Sequence, residues 1–274
     1  MKFILLLILF SSQLMAYTFN NNFGASFKDN DVKVMIAGNS ACDPDNVGLT
    51  FGELQDLIDP AIDKFWNRVP TSALRLSFGG FTNDITGIGS RRLCAPTDEA
   101  CISSAPGATI EPVREIVIAC NDLPINFGSL NVLAVTIPNQ FSGKDIVGSV
   151  ILINNQAGSA FKNLSKTDQI GVIAHEIGHA IGLGHTDDKA AMMYYRTVDL
   201  RRALGEDDMR GVSYLYPMKL DGFGLLGGCA TIEENKKQPP SGGSFLTMLA
   251  GLFLMVFVWE LKRLLKRSQA RPTL

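Results

Sequence analysis

The stretch His175-Glu176-Ile177-Gly178-His179-Ala180-Ile181-Gly182-Leu183-Gly184-His185 holds all 3 histidines of a 274-residue chain. On a helix, positions 175 and 179 stand one turn apart on one face, so two imidazoles can reach one zinc ion. Glu176 is rotated off that pair, beside the metal rather than on it, where it can serve as general base toward a water that the metal activates. His185 comes too late to share the face, and the chain has to turn to bring it back as third ligand. Gly182 is where that turn is expected, because glycine accepts the left-handed backbone that ends helices. Three histidines and an open fourth position describe a catalytic zinc, whereas a structural site is normally closed by four ligands, often with cysteine. A bare HExxH arises by chance, but this longer pattern consumes every histidine, which argues against histidines that merely satisfy a core.

Ser165 or Thr167 can cap the helix that carries the stretch, which is expected to open at Asp168 with Ile170, Ile173, Ala174, Ile177 and Ile181 on its apolar face. Further upstream, Val32 to Ala37 is a candidate strand. Thr50-Phe51-Gly52-Glu53 fits a capping box and Asp59-Pro60 a second start, together giving a helix or broken helix as far as Asn67. Leu74 to Phe78, Glu115 to Cys120, Leu133 to Ile137 and Val147 to Ile153 are β-rich runs. Strands and helices in this order make an α/β arrangement.

Two stretches follow the histidines: Ala191-Met192-Met193-Tyr194, then Leu204-Gly205-Glu206-Asp207-Asp208-Met209-Arg210-Gly211-Val212 with Tyr214-Leu215-Tyr216. The three together resemble the metzincin zinc peptidases, and among these the matrixin branch. The specific likeness covers Thr167 to Tyr216, while residues 17–166 match in general layout only. The resemblance implies a metzincin-like zincin domain of α/β class, with a mixed five-stranded twisted sheet, an active-site helix and a C-terminal helix. It implies a methionine turn beneath the metal, and the eight-residue step from His185 selects Met193 rather than Met192. It also implies that one carboxylate of the Asp207-Asp208 pair buttresses that turn; without it, both would simply favour a helix N-terminus. The fourth strand, Leu133 to Ile137 with Pro138 ending it, is implied to be an antiparallel edge lining the cleft, able to accept an extended peptide as an added strand.

The chain also departs from the matrixin pattern. Tyr195 stands where matrixins commonly have proline and the astacin and serralysin branches have tyrosine, so it is read either as a group that assists the oxyanion or as a wall of the substrate pocket. With no spare histidine the second, structural zinc usual in matrixins cannot be built. The residues from Tyr17 to Asn30 are too few for a latency propeptide, and Cys42 is read as a disulfide cysteine rather than a switch. Asp43, Asp45, Asp187 and Asp188 offer carboxylates to Ca2+, but without an EF-hand pattern.

Of the 5 cysteines, Cys94 and Cys101 enclose a short loop and are expected to bridge locally. Cys42 and Cys120 each follow a strand-like run and would meet if those strands are parallel neighbours. Cys229 is left over. Disulfides are permissible because the chain is expected to be exported. Residues 1–16 have the form of a signal peptide, with Lys2, an apolar run from Phe3 to Phe10 and a small residue at Ala16.

Residues 17–218 are expected to form the catalytic domain, 219–243 a linker, 244–260 a transmembrane helix and 261–274 a basic cytoplasmic tail, oriented by the positive-inside rule. Gly242-Gly243-Ser244, the apolar run and the basic cluster also resemble a bacterial GlyGly sorting signal cut by a rhomboid-type protease. A permanent anchor and a processed signal both stay open.

Hydrophobic residues are 46% and charged residues 19% of the chain, which excludes wholesale disorder. The net charge of −2 averages unlike parts. Setting aside the six basic residues and one acidic residue at the two ends leaves 19 Lys and Arg against 26 Asp and Glu, a net charge of about −7. Such a surface is a poor match for phosphate, and no nucleic-acid partner is expected. The function read from these residues is zinc-dependent hydrolysis of peptide bonds, with Glu176 as general base and then acid. A surface binding module with the same fold and no useful turnover is the competing class, disfavoured by the intact Glu176. A hydrolase acting on another bond is the third.

Overall fold

A computed structural model describes residues 18–19, 24–38, 49–82, 87–94, 98–104, 113–196 and 203–218. Its strands are β1 (Ser26–Phe27), β2 (Asp31–Ala37), β3 (Arg75–Thr82), β4 (Glu115–Asn121), β5 (Ala134–Ser142) and β6 (Asp145–Asn154), and its α-helices are α1 (Phe51–Asp63), α2 (Glu99–Ser104), α3 (Lys166–Ala180) and α4 (Glu206–Leu215).

Alternation along the strands sends neighbouring side chains to opposite faces. Val32, Val34 and Ile36 of β2, Ile116, Ile118 and Cys120 of β4, and Ile151 and Ile153 of β6 enter the main core with α1 and α3. Ala37, Val117, Ala119, Val150 and Leu152 point the other way, into a smaller core closed by Ile88, Leu93, Val113 and Phe127. With both faces covered, β4 and β6 are nearly continuous apolar runs, as buried parallel strands are.

The sheet has six strands rather than five, in the order β1-β6-β4-β2-β3 with β5 on β6. Every pairing is parallel except β5 with β6. A strand has two hydrogen-bonding edges, and β5 takes one edge of β6 along its length. The short β1 and the long β4 therefore share the other, at Asp145–Ile146 and from Gly148 onward. The additional strand, β1, is only two residues long, too short to show as an alternating run. β5 does not stop at Pro138 but continues to Ser142, with register irregularities on either side of Gln140. Proline is tolerated there because an edge strand with a bulge does not need every N–H.

α1 begins at a reciprocal capping box, with the Glu53 N–H on Thr50 Oγ1 at 3.2 Å and the Thr50 N–H on Glu53 Oε2 at 2.7 Å. It runs unbroken through Pro60 and buries Leu54, Leu57, Ile58, Ala61 and Ile62 at helical spacing. A separate 3-10 turn, Trp66–Arg68, then follows, so the helical stretch as far as Asn67 is broken after Asp63. Cys94 and Cys101 are bridged, clipping α2 to the preceding loop. Cys120 is also disulfide-bonded, while Cys42, expected as its partner, lies outside the described residues, as does Cys229. The expected signal peptide and the stretch 244–260 lie outside them too. Among the described residues no helix is long and apolar enough to cross a membrane.

Candidate active site

α3 supplies the first two histidines. It opens at Lys166, two residues earlier than the pattern suggested, on the Ser165 hydroxyl, which accepts the Asp168 N–H at 3.2 Å. Ile173, Ala174, Ile177 and Ala180 are fully buried against the sheet and α1. This leaves His175 and His179 at the border of the buried face, ring centroids 4.7 Å apart.

The turn that returns His185 depends on two glycines. Gly182 has φ +110°, and a Cβ there would lie 2.3 Å from the Ala25 carbonyl oxygen, so neither its conformation nor its surroundings admit a side chain. Beyond it Leu183 bridges Phe19, and the Gly184 N–H donates to the Thr18 carbonyl at 2.8 Å. A Cβ at Gly184 would be 2.7 Å from the Phe19 carbonyl oxygen. The Thr18 hydroxyl donates to the His185 carbonyl. The third histidine is thus strapped by a segment 167 residues away in sequence, and no local pattern announces that strap.

The three Nε2 atoms converge. His185 Nε2 lies 3.3 Å from that of His175 and 3.1 Å from that of His179. His175 Nδ1 faces the Met192 carbonyl and His179 Nδ1 the Leu183 carbonyl, each at 2.8 Å. A carbonyl only accepts, so both Nδ1 atoms carry the proton and both Nε2 atoms present lone pairs. Burial pushes the His179 pKa down, against the pull of the Leu183 carbonyl, and so favours the neutral imidazole. His185 can donate to at most one of its neighbours, and converging lone pairs of this kind call for a cation. A tetrahedral zinc with Zn–N of ~2.0–2.1 Å holds its nitrogens ~3.3 Å apart, in keeping with the observed spacings. Among the described residues this is the one group of three or more His, Cys, Asp or Glu side chains arranged to hold a metal.

Under the histidines lies the turn Ala191–Tyr194, closed by the Tyr194 N–H on the Ala191 carbonyl at 3.3 Å. Met192 contributes the carbonyl that orients His175. Met193, 2% exposed, packs beneath α3: a Cβ on Gly178 would meet its sulfur at 2.3 Å and the Trp66 ring at 2.8 Å. Trp66 in turn donates from Nε1 to the Ala174 carbonyl at 2.9 Å. The Asp208 carboxylate accepts the N–H groups of Met192 at 2.5 Å, Met193 at 3.0 Å and Gly205 at 2.7 Å. Burial raises its pKa in spite of these three donors. Asp207 is buried as well, and its Oδ1 has no hydrogen-bond partner.

Glu176 is 7% exposed, and burial pushes its carboxyl up to about 7 against the opposing pull of a hydrogen bond from Thr136. Oε2 accepts the Thr136 hydroxyl at 2.6 Å. Thr136 sits on β5, a residue that the sequence reading placed only within an edge strand.

A cleft of about 680 Å³ runs over the site, bounded by β5 and the preceding loop on one side and by α3 and Tyr194–Arg196 on the other. Tyr195 lines it, 47% exposed, with its ring 4.7 Å from that of Tyr194 and the Arg196 guanidinium 5.2 Å above it. Asp43 and Asp45 lie outside the described residues, and Asp188 Oδ1 is occupied by the Ala190 N–H at 2.9 Å.

Residues 123–217 match the family model of the matrixins. Human stromelysin-3 is 40% identical over 78 residues, 27% of this chain and 16% of the relative. Karilysin of Tannerella forsythia is 40% identical over 62 residues, 22% of this chain and 13% of the relative.

Residues 123–217 are matrixin-like.

Rat stromelysin-2 is similar over a longer stretch, 117 residues at 27% identity, or 39% of this chain and 24% of the relative. The chain thus spans less than a quarter of the length of each of these relatives. The match begins at Leu123, before β5, and takes in β5, β6, α3, the methionine turn and α4. It therefore contains every residue of the histidine cluster and the cleft walls except Phe19.

Proposed function

We propose that this protein is a zinc-dependent endopeptidase whose catalytic domain works outside the cytoplasm. The observation that carries the reading is the convergence of three imidazole Nε2 atoms beside a buried carboxylate, in a cleft bounded by a strand edge. His175, His179 and His185 would hold the ion. Zinc bound there supplies Lewis acidity, polarising the scissile carbonyl and making a water acidic enough to be a nucleophile near neutral pH. Glu176 takes the proton of that water and returns it to the leaving nitrogen. A carboxyl held near the working pH suits both transfers. Met193 supports the ligands from below, and Asp208 fixes the turn that carries it.

The edge of β5 not paired to β6 faces the cleft side on which Leu133 to Thr136 lie, and supports binding of an extended peptide as an added antiparallel strand. Tyr195, on the facing wall, is assigned to the substrate pocket. The signal-like residues 1–16 support export, and the apolar stretch 244–260 followed by Lys262, Arg263, Lys266 and Arg267 supports a C-terminal anchor, either kept or processed.

The test is cleavage of a diverse peptide library by the purified ectodomain. Chelator-sensitive cleavage is expected, with Glu176→Ala retaining one zinc per chain and losing turnover by at least ~100-fold. An active Glu176→Ala variant would overturn the mechanism, and no cleavage of any peptide by the zinc-loaded parent would favour a binding module.

A further inference from the structure

We infer that Thr136 is a positioning residue for the general base: its hydroxyl clamps one oxygen of Glu176 and thereby presents the other to the water. The inference rests on the peptidase reading above, but on a contact that reading does not use.

Thr136 Oγ1 is 2.6 Å from Glu176 Oε2 and 3.1 Å from the Glu176 carbonyl oxygen. A hydroxyl has one proton, and the nearer of the two acceptors, the carboxyl oxygen at 2.6 Å, takes it. Among the described residues no other hydrogen bond reaches the Glu176 carboxylate, so Oε1 has no protein donor competing with a water. A glutamate side chain has three rotatable bonds, and an unclamped carboxylate one residue from His175 could swing into the metal site as an extra ligand. The clamp prevents that by holding Oε2 against the strand.

Both ends of the clamp are rigid for reasons visible in the fold. Thr136 is β-branched and restricted at χ1. Its strand is held in register by Ile151 of β6, which is fully buried. On the other side Glu176 is flanked by Ala174 and Ile177, both fully buried in the α3 interface. The geometry therefore does not need substrate to form, which is what preorganisation requires of a group that supports a catalytic one.

Thr136→Val keeps the shape and removes the hydroxyl; Thr136→Ser keeps the hydroxyl. With the parent and both variants loaded with equal zinc, Thr136→Val is expected to lower kcat by about 10- to 100-fold with KM within about twofold, the usual effect of removing an outer hydrogen-bond partner. Thr136→Ser should recover kcat to within about threefold of the parent.

A second readout needs neither metal nor turnover. Infrared spectra of the metal-free protein, differenced against Glu176→Gln, should show the Glu176 carboxylate band shifted in Thr136→Val and unshifted in Thr136→Ser. An unshifted band in Thr136→Val, or a kcat equal to the parent's, overturns the assignment. If the parent cleaves no peptide the peptidase reading fails by itself, and the infrared result still decides whether the clamp exists.

Discussion

Gly178 and Gly182 occupy one motif and do different work. Gly182 is required by its backbone, at φ +110°, and by the Ala25 carbonyl in front of it. Gly178 has ordinary helical surroundings in sequence, and only the packed structure shows Met193 and Trp66 pressed into the place of its missing side chain. Gly178→Ala is therefore expected to destabilise the fold by about 1–3 kcal/mol through overpacking, and to loosen the methionine turn. Thermal melts with and without zinc would measure it, and a variant with the parent's Tm would show that Met193 can move aside without cost.

Glu176 carries the pH dependence. In the metal-free protein its folded pKa, about 7, stands above the ordinary 4.5. The folded state then binds the proton more tightly than the unfolded one, so the associated stability is complete below pH ~4.5 and is lost as pH rises to ~7. The expected loss is on the order of 3 kcal/mol between those limits. Urea midpoints of metal-free parent and Glu176→Gln across this range test it: the parent should fall more steeply, and parallel curves would contradict the burial argument.

At the level of elements, the pairing of α4 with the methionine turn shows what sequence left open. Either carboxylate of Asp207-Asp208 could buttress the turn on spacing alone. The structure gives all three turn and cap N–H groups to Asp208 and leaves Asp207 Oδ1 without a partner. Asp208→Asn replaces one accepting oxygen by a donor amide that faces N–H groups, and should cost about 2–3 kcal/mol by denaturant titration. Asp207→Asn, which removes a charge without breaking a hydrogen bond to that oxygen, should cost less. Equal costs would mean that charge at the helix start, rather than the turn, is what the pair provides. The edge strand makes a related point. Alternation predicts β5 as far as Ile137, but its continuation past Pro138 depends on β6 lying beside it to receive the remaining bonds.

Over the whole molecule, metal binding at the three histidines is expected to couple to the fold. The histidines come from α3 and from a loop held by Thr18 and Phe19, and the turn beneath them is held by α4. An ion that binds this arrangement and not the unfolded chain stabilises it by mass action, by about 4 kcal/mol at free zinc a thousandfold above Kd. Chelation should accordingly lower Tm by several degrees and zinc return it. His185→Ala should remove most of that shift while changing the metal-free Tm little, since His185 is exposed. An unchanged shift would mean the ion binds elsewhere.

The sequence by itself determined the local frame of the site: the three histidines, Glu176 beside them, the turn at Gly182, the Cys94–Cys101 clip, the strands of the sheet apart from β1. These are set by spacing along one helix or within one loop, and by a two-residue alternation, all of which are properties of neighbouring residues. The tertiary structure alone decided which aspartate holds the turn, that Met192 orients His175 by its backbone, that Thr18 and Phe19 strap the third histidine, and that Thr136 grips Glu176. Those contacts join residues from 15 to 167 positions apart. Their partners are chosen by how helices and strands pack, and a hydrogen bond between distant segments leaves no periodic mark on either of them.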